Sequence, residues 1–133
     1  MPRARGAPQA TLADMAPGAL RTFFRIADAW GLASHEARVL LGNPPESTFY
    51  KWKTGKVGIV PRDLLERLSY LLGIYKALQI LLPLPSASDS WVKRPNSAPL
   101  FNGRSALEVM LSGNVSDLYL IRQYLDAQRG GWP

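Results

Sequence analysis

Apolar residues recur along the chain at spacings of three and four, the period of amphipathic helices. Leu20, Phe23, Phe24, Ala27 and Trp30 predict a first helix from Gly18 to Trp30, with Arg21, Arg25 and Asp28 opposite them and Gly31 as its stop. Ser34 is placed to cap a second helix that turns Ala37, Leu40 and Leu41 inward and Glu36 and Arg38 outward. Gly42-Asn43-Pro44-Pro45 reads as a turn, because neither proline fits a helix interior. A short third helix follows. Its Phe49 and Trp52 share a buried face, Ser47, Thr48 and Lys51 project elsewhere, Tyr50 lies at the flank and Gly55 closes it.

Pro61 suits the first turn of the longest helix, which is expected to run to about Leu82, ahead of Pro83. Its polar positions, Arg62, Glu66, Ser69, Gly73 and Lys76, form one narrow stripe, and leucines and isoleucines cover most of the rest. Such a helix must be buried on several sides. The helices before and after it cover two, and the remainder is expected to form a homodimer interface. Residues 83–90, PLPSASDS, read as a short polar linker, and Trp91, Val92 and Pro95 lead into the last segment. There Ser105 and Glu108 have the S-x-x-E spacing of a capping box, and Gly113 stops the helix that follows. Ser116 is expected to cap a final helix with Leu118, Ile121 and Leu125 on one face, running out at Gly130-Gly131.

The fold class is therefore all-α, with an N-terminal helix-turn-helix lobe, a long central helix and a small C-terminal helical lobe. Residues 1–17 are expected to be a disordered basic arm, 18–60 the helix-turn-helix region, 61–82 the connecting helix and 83–133 the C-terminal helical domain. A length of 133 residues allows one compact domain or two very small ones sharing a core.

Charge adds a candidate partner. The net charge of +6 is concentrated at the front: residues 1–82 hold 11 Lys/Arg against 6 Asp/Glu, and residues 83–133 hold 5 against 4. A basic front half suggests an anionic partner such as nucleic acid. In a helix-turn-helix the second helix enters the major groove by its N-terminal residues. The candidate DNA-binding residues are then Ser47, Thr48, Tyr50, Lys51, Lys53 and Lys56, hydroxyls for base edges or phosphate and lysines for phosphate. The plainer reading makes the lysines a solvated face.

Catalytic chemistry finds no support. The chain has no cysteine, its one histidine is His35 beside Glu36 at a helix start, and no His/Cys/Asp/Glu cluster or phosphate loop is apparent. No enzyme activity, metal or cofactor is expected. Nor is there a signal-peptide core or a membrane-spanning run, so a cytoplasmic protein is expected.

The helix-turn-helix with T-F-Y-K-W, the long helix, and then W-V-K-R-P-N, F-N-G-R-S-A-L-E-V-M-L-S-G and L-D-A-Q-R-G-G together resemble the Xre/MbcA/ParS antitoxin family over nearly all of the chain beyond the arm. The C-terminal W…PN…F-x-G-x-x-x-L…G pattern is the more specific half. Asn102 stands where members often carry a second glycine, and Ala106 where they often carry a proline.

The resemblance implies an antitoxin that neutralises a RES-domain toxin, an enzyme acting on NAD by degradation or ADP-ribosyl transfer. It implies that the C-terminal region covers or enters the toxin's active-site cleft, and that the complex represses its own operon. Trp91, Pro95, Asn96, Phe101, Gly103, Leu107 and Leu111 then belong to a toxin-binding fold. Arg122, Asp126, Arg129, Gly130, Gly131 and Trp132 are the candidate toxin-binding residues near the cleft. The implied partners are the toxin, operator DNA and a second copy of the chain within a larger hetero-oligomer. A stand-alone helix-turn-helix regulator with an oligomerisation hairpin is the alternative.

Overall fold

The computed structural model describes residues 12–130, and among them the regular structure is seven α-helices with one 3-10 turn. Leu12–Ala29 is α1, Ser34–Leu40 is α2, Glu46–Lys53 is α3 and Arg62–Leu81 is α4. Pro85–Ser90 is α5, followed by the 3-10 turn Trp91–Lys93, then α6 (Ala106–Met110) and α7 (Val115–Gly130). The all-α expectation holds.

Helix α4 is the centre, packed against α1 on one side and α7 on another. It buries Leu64, Leu68, Leu71, Ile74, Ala77 and Leu78. Phe23 of α1, Trp30 just beyond its end, and Ile121 and Leu125 of α7 belong to the same core. Of the polar stripe, Arg62, Glu66, Ser69 and Lys76 are exposed and Gly73 is half-buried beneath α7. Lys93 adds a link between the lobes, donating from Nζ to the carbonyl of Gly31 at 2.8 Å.

Local chemistry differs from the sequence expectation at four places. Helix α1 begins at Leu12, so residues 12–17 are helical and not part of an arm, and residues 1–11 lie outside the described residues. Pro17 removes one rung of the hydrogen-bond ladder, and burial of Ala16 and Leu20 beside it offsets that loss. Ser34 is the first residue of α2 and does not cap it; the Glu36 carboxylate instead accepts the Ala33 N–H at 2.8 Å. The linker at 83–90 contains α5, started by Pro85 at its first position. Ser88 is fully buried there, accepting from Gln79 Nε2 at 3.1 Å, so a serine that reads as solvent-facing folds onto the end of α4.

The fourth difference is at α7. Ser116 lies inside the helix, and the turn ahead of it is fastened by Ser112. That hydroxyl accepts the Asn114 N–H at 3.1 Å and donates to Asp117 at 2.6 Å. The capping box of α6 forms as read: Ser105 Oγ accepts the Glu108 N–H at 3.1 Å and Glu108 accepts the Ser105 N–H at 2.9 Å.

Candidate functional site

Two surfaces carry the candidate residues. The first is α3 with its preceding turn. The chain reverses through Gly42 and Asn43, both left-handed at φ 92° and 58°, and Asn43 Oδ1 accepts from Arg38 Nε at 3.2 Å. Glycine and asparagine are the residues that tolerate this conformation. Phe49 and Trp52 anchor α3 to the core, the Phe49 ring standing edge-on to Phe24 at 5.4 Å. Anchoring by those two turns the other faces of the helix outward. Ser47, Tyr50, Lys51, Lys53 and Lys56 are exposed, and Thr48 is half-buried. The ion pairs among the described residues leave Lys51, Lys53 and Lys56 without a carboxylate. These are cations free to meet an anion.

The second surface is the C-terminal lobe, organised by a closed loop from Pro95 to Ser105, whose ends meet in an isolated antiparallel bridge. Asn96 is the clasp. Its N–H donates to Arg104 O at 3.0 Å, its carbonyl accepts the Gly103 N–H at 2.8 Å, and its Oδ1 accepts the Ala98 N–H at 2.9 Å. Phe101 drops from this loop into the core between Trp91 and Tyr124, edge-on to each at 5.8 and 5.2 Å. Leu107 is buried and Leu111 half-buried, so the motif residues form a folded unit. Asn102 is left-handed at φ 52°, which explains why glycine and asparagine suit this position. Ala106 is the first residue of α6, where a proline is also tolerated.

On α7 the structure brings Arg122, Asp126 and Arg129 together. Arg122 Nε pairs with Asp126 Oδ2 at 3.1 Å, and Arg129 Nη1 lies 3.8 Å from Asp126 Oδ1. Arg122 also donates from Nη1 to the Ser69 carbonyl of α4 at 3.2 Å, so part of its donor capacity is spent within the chain. Gly130 is the exposed end of α7. Gly131 and Trp132 lie outside the described residues.

Beside this cluster, Tyr119 stands edge-on to Tyr70 at 5.6 Å. The Tyr70 hydroxyl donates to Glu66 at 3.0 Å, and that hydrogen bond to a carboxylate raises its pKa above the ordinary tyrosine value.

Arg67 is not among the residues that the sequence pattern singles out, yet it is 9% exposed on the core side of α4 and donates to the Gly113 carbonyl at 2.9 Å. Its signal was available: it lies at helical spacing between Leu64 and Leu71, on the apolar arc. Among the described residues no three His, Cys, Asp or Glu side chains converge to hold a metal ion, and no helix is long and apolar enough to cross a membrane.

Comparison with known proteins matches both halves. The model of the antitoxin Xre-like helix-turn-helix domain matches residues 9–73, and that of the antitoxin Xre/MbcA/ParS C-terminal toxin-binding domain matches residues 77–131. A protein of Sinorhizobium fredii (strain NBRC 101917 / NGR234), described as uncharacterized protein y4oB, is 49% identical over 127 residues, covering 96% of each chain. No solved structure matches.

Proposed function

Because the chain belongs to the Xre/MbcA/ParS antitoxin family, with an Xre-like helix-turn-helix half and a toxin-binding half, we propose that it neutralises a RES-domain toxin by occluding the toxin's active site. The observation that carries this reading is the C-terminal lobe itself. The family's toxin-binding region, residues 77–131, contains the Asn96-clasped loop and α7. Helix α7 ends at Gly130, next to Arg129, and in sequence Gly131 and Trp132 follow; these four are the segment proposed to meet the cleft. An aromatic anchor after a diglycine has the chemistry of an interface hot spot. Arg122 and Asp126 contribute from the flank of the same helix, with Asp126 also holding Arg129.

DNA binding for repression of its own operon is the second part of the proposal. It rests on the three unpaired lysines around α3 and on the exposed Ser47 and Tyr50. Homodimer formation rests on α4, where Leu65 and Leu72 floor an open groove of about 390 Å³ beside Met15, itself 55% exposed. The proposed setting is the cytoplasm, where both DNA and NAD are at hand.

Co-expression with the product of the adjacent open reading frame, scored by growth, tests the function. Rescue by the full chain and loss of rescue on truncation of the tail support it. A chain that binds an operator but neither binds nor silences the toxin is the stand-alone regulator instead.

A further inference from the structure

We propose that Arg67 is a positioning residue that holds the turn of the helix-turn-helix against the toxin-binding half, so that a shift of the α6–α7 turn is carried to α3. Its consequence for repression rests on the reading of α3 as the DNA-facing helix, whereas the junction is a matter of geometry. Arg67 Nε donates to Asp63 Oδ2 at 3.0 Å and its Nη2 donates to the carbonyl of Gly113, 46 residues away. These two donors lie on one edge of a planar guanidinium, so the pair of bonds fixes its plane. Its other neighbour is the turn. A Cβ built on Gly42 would lie 3.0 Å from Arg67 Nε and 3.3 Å from its Cδ, so the arginine rests directly against the turn backbone.

Gly113 also faces α2, since a Cβ there would lie 4.0 Å from Val39 Cγ1. Three pieces of chain thus meet at one buried cation, the turn after α2, α4 and the α6–α7 turn, with α2 itself lying against Gly113. Moving the Gly113 carbonyl either strands a buried N–H of Arg67 or drags the guanidinium with it. Dragging it presses on or withdraws from Gly42, whose left-handed backbone sets the direction in which the chain reaches α3. Packed interfaces of this kind pass on small shifts because they have no slack to absorb them.

Amide hydrogen exchange on the full chain, without DNA or toxin, tests the junction. In Arg67→Gln, exchange at Gly42 and Asn43 and at Gly113 and Asn114 is expected to rise together by about tenfold, as for loss of one buried charge-assisted bond, while α1 is unchanged. Arg67→Lys, whose ammonium reaches one acceptor but not both, should give a smaller rise at both places. Gly113→Ala, strained at φ 84°, changes no residue of the helix-turn-helix, its methyl meeting Val39 only at ordinary van der Waals distance, and should still raise exchange at Gly42 and Asn43. Arg62→Gln, exposed on the same helix, is the control. A Gly113→Ala effect confined to residues 113 and 114 overturns the proposal. So does a uniform rise, α1 included, in Arg67→Lys. Should Arg67→Gln fail to fold, the other two variants decide. Failure of the DNA reading would appear in operator titrations and leave these exchange patterns intact.

Discussion

Arg122 of α7 lays its guanidinium across Gly73 of α4, in space that a Cβ at position 73 would occupy. The bond from its Nη1 to the Ser69 carbonyl and the ion pair with Asp126 hold it there. Glycine inside a helix ordinarily costs about 0.5–1 kcal/mol relative to alanine. Here the missing side chain is what admits the arginine.

That fit predicts a change of sign between two backgrounds. With Arg122 replaced by alanine, Gly73→Ala should stabilise the chain by about 0.5–1 kcal/mol, the ordinary helix gain. In the parent the gain should vanish or reverse, because the guanidinium is displaced from its acceptors, worth about 1 kcal/mol for a partly exposed group. Urea unfolding of the four corners of this cycle checks it. Equal stabilisation in both backgrounds would mean that the arginine swings aside at no cost.

At the tip of the clasped loop, Asn102 is exposed and left-handed, so its backbone alone decides what is tolerated. Asn102→Gly should change stability little, whereas Asn102→Val should cost about 1–2 kcal/mol. Thermal melts of the two variants distinguish them. A valine variant that melts with the parent would show the loop adopting another conformation.

Salt dependence reads out the lysines. Lys51→Ala is expected to weaken operator binding, and removal of Lys51, Lys53 and Lys56 together should flatten the slope of log affinity against log salt by about 0.9 for each phosphate no longer neutralised. Fluorescence titrations over a range of salt concentrations measure the slope. Identical slopes for the parent and the triple variant would leave these residues as a solvated face.

Deleting residues 129–133 removes Arg129, the end of α7 and the aromatic tail while leaving α3 intact. Toxin inhibition should weaken by about tenfold or more, the effect of losing one anchoring aromatic, with operator affinity nearly unchanged. An inhibition assay beside a DNA titration on the same preparation checks both halves. Undiminished inhibition would put the occluding surface elsewhere on the lobe.

Much of this architecture is legible from local pattern. Phe49 and Trp52, Leu118, Ile121 and Leu125 are buried where their spacing puts them, and the Ser105–Glu108 box closes as its spacing requires. These features depend on residues within one or two turns of each other. The α3 residues emerge on the surface for the same reason, since burial of two aromatics fixes the helix's rotation. Capping by Ser34 and Ser116 is less legible, because other groups take the N–H groups at those helix starts: the Glu36 carboxylate that of Ala33, the Ser112 hydroxyl that of Asn114 and the Asn114 carbonyl that of Asp117.

The sequence by itself determined the helical periods, the breaks between them, the basic bias of the front half and the motif that marks the toxin-binding lobe. The tertiary structure alone supplied the partners and the space for three polar groups that turn inward. Arg67 is buried because Gly113, 46 residues on, offers it a carbonyl; Ser88 is buried because Gln79 meets it; Arg122 lies flat because Gly73 leaves room. A polar side chain goes inside only where a partner and a space coincide, and that coincidence is made by distant segments packing together.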